Sequence, residues 1–284
     1  MIAKSLLAQA RELQAPDGST VSSLTVAQIE QLAGRYGVST RLIEIIALEN
    51  NVIPLRYARN FNATSLEDQI RLLNATIAVI GLGGLGGAVV EILARAGVGA
   101  LNLADGDAFE DHNLNRQLFS TQEILGLSKA KAARDRVRSI NASVDVTIFD
   151  FCMTAENVAR ILVDCQAVVD CLDNIPTRLV LHNAARQAGI PMVSAAVAGA
   201  TAHITTLFPE DDGLDLIYGP AESLKSEKGA ETTLGCLPQS VILTASIECA
   251  EVLKLLQGKV DHLLRNKLLV VDLEDNTFET LRLK

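Results

Sequence analysis

The chain has 284 residues, 49% of them hydrophobic, 21% charged and 4% aromatic, which is typical of a folded globular protein. Its formal net charge of −9 argues against a sequence-independent nucleic-acid binder, because such a protein needs a basic surface to displace phosphate counterions. No segment reaches the roughly 18 uncharged apolar residues of a membrane span, and the N-terminus lacks the apolar region of a secretory signal. We therefore expect a cytoplasmic protein that binds neither nucleic acid nor membrane.

Residues 1–54 predict a separate N-terminal helical extension. Apolar residues recur at helical spacing over 23–51, and Pro54 then interrupts the pattern. Part of this stretch has the look of a helix-turn-helix, but its acidic side chains would repel DNA. A pair of helices that packs on a neighbouring domain is therefore the favoured interpretation. The main domain is expected to occupy residues 55–284.

From about residue 75 the pattern alternates between apolar strands and helices, which indicates a mostly parallel sheet covered on both faces. After residue 200 an alternating run predicts an antiparallel strand, and 209–233 is a long polar stretch. An apolar helix (239–257) and two further strands follow. The predicted fold is α/β: a Rossmann-like, doubly wound, mostly parallel sheet with antiparallel C-terminal strands, plus the small N-terminal helical region.

The run "IAVIGLGGLGG" (77–87) places a glycine cluster between a strand and a helix. Such a loop frees backbone N–H groups and lets a phosphate approach the helix N-terminus, although a tight turn without a ligand has the same pattern. Asp105 ends the next strand, where a carboxylate can accept hydrogen bonds from ribose hydroxyls of either NAD or ATP. The candidate nucleotide-binding glycines are Gly81, Gly83, Gly84 and Gly86.

The residues after Asp105 favour ATP over NAD. The loop at 105–120 contains Asn113, Arg116 and Gln117, and the next helix begins with Lys129. A triphosphate with a leaving pyrophosphate needs cations, whereas the helix N-terminus suffices for the pyrophosphate of a dinucleotide. Taken alone, Lys129 would be interpreted as a solvated helix residue.

Asp173 and Asn174 end a later strand, next to the expected nucleotide crevice. Mg²⁺ is usually held by one or two carboxylates together with substrate phosphates, so Asp173 is a candidate metal ligand. The alternative is an N-cap for the helix that starts near Pro176, a role that Asn174 could also fill.

Six motifs occur together in one order: "RYARN", "GLGGLG", "LADGD", "NLNRQ", "GLSKA" and "DCLDN". In this order and spacing, from about residue 55 to the end, the chain resembles the ThiF/MoeB/HesA family. These are ubiquitin-activating-enzyme-like adenylyltransferases that activate sulfur-carrier proteins in molybdopterin and thiamine biosynthesis. Residues 1–54 lie outside the resemblance.

The resemblance implies that the C-terminal carboxylate of a small ubiquitin-like protein ending in Gly-Gly attacks the α-phosphate of MgATP, giving an acyl-adenylate and pyrophosphate. It also implies a homodimer. Its implied site residues are the glycine loop for the nucleotide, Asp105 for the ribose, Arg116 and Lys129 for the phosphates, Asp173 for Mg²⁺, Asn113 and Gln117 as supporting residues, and Arg59 inserted into the partner subunit's ATP site.

The five cysteines depart from the family pattern. No C-x-x-C pair occurs, so we expect no zinc site. Family members often use a cysteine before the closing helix for thioester or persulfide chemistry. Cys236 lies a few positions later than that place, and a buried packing cysteine is the favoured interpretation.

Three alternatives remain at this point. An NAD-dependent oxidoreductase would explain the glycine loop and Asp105 but not the cations. A relative that binds a nucleotide or a carrier without turnover would explain the missing cysteine pairs. A third alternative adenylates a tRNA base or a peptide, although the acidic composition argues against tRNA.

Overall fold

A computed structural model of the chain describes residues 1–14, 18–219 and 229–283. The elements before residue 55 are α1 (Ile2–Gln9), β1 (Arg11–Gln14), β2 (Thr20–Leu24), α2 (Val26–Tyr36), α3 (Thr40–Glu49) and β3 (Val52–Pro54). We call the described residues of 1–54 the N-terminal unit. Besides the predicted helices it contains a sheet of order β1-β2-β3. Its strands have three to five residues, too few for a clear alternation in the sequence.

Local signals explain the helix pair of the N-terminal unit. Thr25 and Gln28 form a capping box at the start of α2, and Gly37 ends that helix in the left-handed conformation. The Ser39 side chain caps α3 by accepting a hydrogen bond from the Leu42 N–H. The apolar faces of these helices form a small core that includes Leu32 and Ile43.

A 3₁₀ helix (Leu55–Asn60) leads into the main domain, where strands and helices alternate as predicted. Its elements are α4 (Leu66–Leu73), β4 (Thr76–Ile80), α5 (Gly84–Ala96), β5 (Ala100–Ala104), α6 (Lys129–Ile140), β6 (Asp145–Phe149), α7 (Val158–Ile161), β7 (Ala167–Asp170), α8 (Ile175–Ala188), β8 (Met192–Ala198), β9 (Thr201–Leu207), α9 (Asp215–Tyr218), α10 (Glu231–Leu234), α11 (Pro238–Leu256), β10 (Lys267–Asp272) and β11 (Thr277–Arg282). The polar stretch 209–233 contains α9 and α10, and its residues 220–228 lie outside the described residues.

The main sheet has eight strands in the order β11-β10-β9-β8-β7-β4-β5-β6. The neighbouring pairs from β8 to β6 in this order are parallel. The pairs β8–β9, β9–β10 and β10–β11 are antiparallel. Alternate residues of β4 enter different cores: Ile77 and Val79 pack with α5, α6 and α11, whereas Ile80 packs with α7 and α8. The predicted doubly wound α/β fold is confirmed.

The register of the sheet brings three strand ends together. Ile80 of β4 lies opposite Ala104 of β5 and opposite Asp170 of β7. The residues that follow these ends therefore lie side by side, and we call this region the carboxyl edge. Because β4 is where the strand order reverses, the carboxyl edge includes the crevice in which open α/β sheets bind ligands.

The N-terminal unit packs at the opposite end of the strands. Arg41 of α3 donates a 2.6 Å hydrogen bond to the Gly99 carbonyl, just before β5, and forms a 2.7 Å ion pair with Asp145 at the start of β6. We call this contact region the seam. The described part of the chain contains no helix that is both long and apolar enough to cross a membrane.

Candidate nucleotide site at the carboxyl edge

The glycine loop after β4 is packed so tightly at Gly81 and Gly86 that a side chain would not fit at either position. Gly81 has a φ of +87°, and an ideal Cβ on it would lie 2.6 Å from the Cys171 carbonyl oxygen. A Cβ on Gly86 would lie only 1.8 Å from the Gly81 carbonyl oxygen. Gly83 occupies the N-cap of α5, and no side chain of the described residues caps this helix. The first N–H groups of α5 are therefore available to a phosphate.

Two predicted polar residues lie against this loop. An ideal Cβ on Gly83 would lie 3.6 Å from the Gln117 amide nitrogen, and one on Gly84 would lie 3.5 Å from Arg116 Cγ. The structure therefore brings Arg116 and Gln117 to the glycines, although about thirty residues separate them in sequence. Within the described residues the buried Gln117 Oε1 has no hydrogen-bond partner, which is an available acceptor beside the loop.

Arg116 and Asn113 belong to the polar loop that begins with Asp105. The Asn113 side chain is buried, and its Oδ1 accepts a 3.0 Å hydrogen bond from the Glu110 N–H. Arg116 is half-buried, and its Nη1 donates to the His112 carbonyl at 2.9 Å and to Asn115 Oδ1 at 3.0 Å. Asn113 thus fixes the loop, whereas Nε and Nη2 of Arg116 have no hydrogen-bond partner in the part of the chain that the structure describes and can donate to an anion.

Asp105 lies at the end of β5, as predicted, and both of its oxygens accept backbone hydrogen bonds. Oδ2 accepts from the Leu82 N–H at 2.7 Å and Oδ1 from the Asp107 N–H at 2.8 Å. Burial raises the pKa of Asp105, and the two hydrogen bonds together with Lys129 act in the opposite direction. Each carboxylate oxygen accepts more than one hydrogen bond, so a ribose hydroxyl can share this carboxylate.

Lys129, the first residue of α6, is buried rather than solvated. Its Nζ forms a 3.0 Å ion pair with Asp107 Oδ2. Asp107 is not among the residues predicted from the sequence, although "DGD" places a second carboxylate two residues after Asp105. Asp107 therefore links the two predicted groups: its N–H holds Asp105 and its carboxylate holds Lys129.

The sequence left two roles open for Asp173 and Asn174, metal ligand and N-cap of the following helix, and the structure assigns the N-cap to Asn174. Asn174 is the N-cap of α8, since its Oδ1 accepts a 3.0 Å hydrogen bond from the Thr177 N–H. Asp173 is exposed at the carboxyl edge, and Asn174 Nδ2 donates to its Oδ1 at 3.2 Å. No group of three or more His, Cys, Asp or Glu residues within the described ranges could hold a metal ion. A single carboxylate plus substrate phosphates fits Mg²⁺.

Arg59 is distant from the glycine loop of its own chain. It is exposed in the 3₁₀ helix Leu55–Asn60, and the neighbouring Tyr57 packs on Gly97, where a Cβ would lie 2.4 Å from the Tyr57 hydroxyl. Gly97 is the C-cap of α5, which has 13 residues, so about 20 Å of helix separates it from the loop. Arg59 cannot reach this chain's own site.

Cys236 is half-buried before α11. Its Sγ donates to the Val197 carbonyl oxygen at 3.8 Å, and its backbone forms an isolated β-bridge with Gly199. The thiol therefore packs against the end of β8.

The site residues, the glycine loop and the sheet order define a class of nucleotide-binding α/β proteins with cations beside the loop. Residues 57–284 match the ThiF family, and the chain belongs to this family. It is an ATP-dependent adenylyltransferase.

Two relatives and two solved structures show the range of the similarity. The chain is 34% identical over 230 residues to the SAMP-activating enzyme E1 of Haloferax volcanii, covering 80% of this chain and 84% of the relative. It is 35% identical over 208 residues to the sulfur carrier protein ThiS adenylyltransferase of Bacillus subtilis, covering 72% of this chain and 61% of that relative.

The solved structures are similar in fold at low sequence identity. Escherichia coli MccB with AMPCPP and MccA has a TM-score of 0.70 at 18% identity, covering 89% of this chain and 78% of that chain. PaaA has a TM-score of 0.64 at 19% identity, covering 89% of this chain and 84% of that chain. Both likenesses concern the fold alone.

Proposed function

We propose that this protein uses MgATP to activate the C-terminal carboxylate of a small ubiquitin-like sulfur-carrier protein as an acyl-adenylate, and that it does so in the cytoplasm. The observation that carries the proposal is the meeting of Arg116 and Gln117 with the glycine loop at the carboxyl edge. The names of the two relatives, one for SAMP activation and one for the sulfur carrier ThiS, support the choice of a carrier protein as substrate.

The proposed reaction requires little covalent chemistry from the protein. A carboxylate oxygen of the carrier attacks the α-phosphorus of ATP, a new P–O bond forms, and the bond to the leaving pyrophosphate breaks. The chain's contribution is to hold the two reactants in line and to offset the charge that develops on the phosphates.

Each candidate residue has a role in this proposal. The glycines Gly81, Gly83, Gly84 and Gly86 and the first turn of α5 bind the phosphates, and Asp105 accepts from the ribose. Arg116 and Lys129 stabilise the leaving pyrophosphate, Asn113 and Gln117 support the loop, and Asp173 holds Mg²⁺. The bound Mg²⁺ would neutralise phosphate charge.

Two further parts of the proposal concern Arg59 and Cys236. Since Arg59 cannot reach its own site, we assign it to the ATP site of the partner in a homodimer. The proposed activity ends at the acyl-adenylate, because the Cys236 thiol packs against β8.

The test is ATP–pyrophosphate exchange that depends on an added carrier, using the small Gly-Gly-terminated ubiquitin-fold proteins of the same genome. Arg116→Ala and Asp173→Ala should each lower the exchange rate by roughly 10²- to 10³-fold, because each removes a group that stabilises transition-state charge. Arg138→Ala is the matched control: it removes an exposed guanidinium from the other end of α6 and should exchange at the wild-type rate.

Other results would contradict the proposal in distinct ways. Wild-type exchange rates in both Arg116→Ala and Asp173→Ala would show that these two residues do not have the proposed roles. ATP binding without exchange for any carrier contradicts the assignment of a carrier protein as the substrate. For Arg59, a mixture of Arg59→Ala and Arg116→Ala chains should regain activity, because a mixed dimer has one intact site; no recovery argues against the shared site.

A further inference from the structure

A buried ion pair lies directly beneath the turn that presents Asp173. Asp170 at the end of β7 is fully buried, and Arg178 of α8 and Ser194 of β8 are 5% and 3% exposed. Arg178 Nη1 donates to Asp170 Oδ2 at 3.0 Å, and the Ser194 hydroxyl donates to the same oxygen at 2.6 Å. We call these three residues the turn anchor. None of the three is among the site residues predicted from the sequence.

The turn anchor holds the backbone of one residue, Leu172, from both sides. The Leu172 N–H donates to Asp170 Oδ1 at 3.1 Å, and Arg178 Nη2 donates to the Leu172 carbonyl oxygen. One arginine fork therefore joins the carboxylate at the strand end to the backbone immediately before Asp173. Lysine has the same charge but lacks this planar pair of donors.

Asp173 is fixed on its other side by Asn174. The Asn174 side chain caps α8, and its amide donates to Asp173 Oδ1 at 3.2 Å. The carboxylate is therefore exposed, whereas the backbone on both sides of it is held by buried or helix-capping groups. This combination directs one Asp173 oxygen while leaving the other for a ligand.

Stability alone does not explain a charged pair at this depth. Burying two charges costs desolvation energy, and well-packed apolar residues of similar volume often stabilise a protein as well or better. The turn anchor adds what apolar packing cannot supply, namely directional hydrogen bonds to a particular peptide unit.

We propose that Arg178 is a positioning residue for the Mg²⁺ carboxylate, acting through the Leu172 peptide and Asp170 on the direction of Asp173. The inference rests on the proposed function, which assigns Mg²⁺ to Asp173. Groups that orient metal ligands typically contribute about 10- to 100-fold to metal affinity.

The test is Arg178→Lys, measured by calorimetric titration of ATP without carrier, once with Mg²⁺ and once with EDTA. The affinity for MgATP should fall about 10-fold, whereas the affinity for ATP in EDTA should stay at the wild-type value. The ratio of the two affinities isolates the coupling between metal and nucleotide. General damage to the nucleotide site would weaken both.

Arg265→Lys is the matched control. Arg265 Nη2 donates to Asp211 Oδ1 at 2.8 Å and its Nε to the same oxygen at 3.1 Å, so this substitution also removes an arginine fork. Asp211 lies just beyond β9, whose last residue Leu207 pairs with the first residue of β8. The pair is therefore at the opposite end of the sheet from Asp173, and both ATP affinities should be unchanged.

Should Arg178→Lys not fold, as circular dichroism would show, Ser194→Ala decides the matter. It removes one hydrogen bond to Asp170 and no charge, and it should weaken MgATP binding about 5-fold, with no change in EDTA. If the folded variants have the wild-type ratio of MgATP affinity to ATP affinity in EDTA, the inference is overturned. If Asp173→Ala itself binds MgATP like the wild type, the failure is in the proposed function instead.

Discussion

The carboxyl edge and the seam both bury carboxylates, but they use them differently. At the carboxyl edge, Asp170 and Arg178 hold the backbone of a turn. At the seam, Glu44 of the N-terminal unit is fully buried and forms a 3.3 Å ion pair with Arg56, and it accepts a 3.1 Å hydrogen bond from the Tyr57 hydroxyl. The first set fixes local geometry, and the second joins two units of the chain.

Glycines of the carboxyl edge and glycines on the surface of the N-terminal unit also differ. Gly86 at the carboxyl edge has backbone where a side chain would be. Apart from its chain neighbours and its own helix backbone, an added Cβ on Gly34 of α2 would have no described atom within 4 Å. Packing at the carboxyl edge therefore constrains the backbone itself, and the N-terminal unit tolerates change on its surface. The predictions below test this difference.

The largest effect is expected for Gly86→Ala. The new Cβ would lie 1.8 Å from the Gly81 carbonyl oxygen, so the loop must move. We expect a loss of more than about 4 kcal/mol in the free energy of unfolding together with loss of ATP binding, measured by urea denaturation and calorimetry.

Gly34→Ala is the control for this substitution. Without steric conflict, replacing a helical glycine should raise the free energy of unfolding by about 1 kcal/mol. Equal changes in the free energy of unfolding of Gly86→Ala and Gly34→Ala would contradict the difference in packing between the two positions.

A smaller loss is expected at the seam for Glu44→Ala. The substitution leaves the Arg56 guanidinium without its anion and Tyr57 without its acceptor, so the free energy of unfolding should fall by about 3 kcal/mol. Urea denaturation measures the loss. Because the seam is at the far end of the strands, the ATP affinity of the folded variant should match the wild type; a weakened ATP affinity would connect the seam to the site.

A pH-dependent effect is expected for Glu248 of α11, a buried carboxyl beneath the carboxyl edge. Neither of its oxygens has a hydrogen-bond partner within the described residues. Burial, and then the charge of Asp170, raise its pKa well above the ordinary value, while Arg178 acts in the opposite direction. The native state therefore keeps this proton at pH values where the unfolded chain loses it.

Stability consequently falls as pH rises from the ordinary carboxyl pKa towards the raised one, by at most about 1.4 kcal/mol per pH unit. Glu248→Gln removes the titrating group and should flatten this decline. Free energies of unfolding between about pH 5 and about pH 8 would show the difference; parallel pH curves for the two proteins would contradict it.

Several predictions from the sequence agree with the structure for clear physical reasons. The glycine loop and Asp105 follow β4 and β5, whose residues are mostly apolar because helices cover both faces of the sheet, so the sequence alone indicated their position at the strand ends. The cations after Asp105 correctly favoured ATP over NAD, in agreement with the ThiF family match. The site roles of Arg116, Lys129 and Asp173 remain predictions.

The sequence missed the residues that support the site. Asp107 was overlooked because its ion pair with Lys129 spans 22 residues, and Ser194 because it lies 24 residues from Asp170. In the N-terminal unit, the strands were missed because three to five residues show too little alternation.

By itself, the sequence determined the doubly wound fold, the place of the glycine loop and the chemical types of the site residues, because periodicity, turn glycines and charge are local properties. Only the tertiary structure decided which side chains hold which backbone. The Leu172 peptide is fixed by an arginine from the following helix, and Glu44 is buried by a segment of another unit. Such contacts depend on how elements pack in space, which no local pattern specifies.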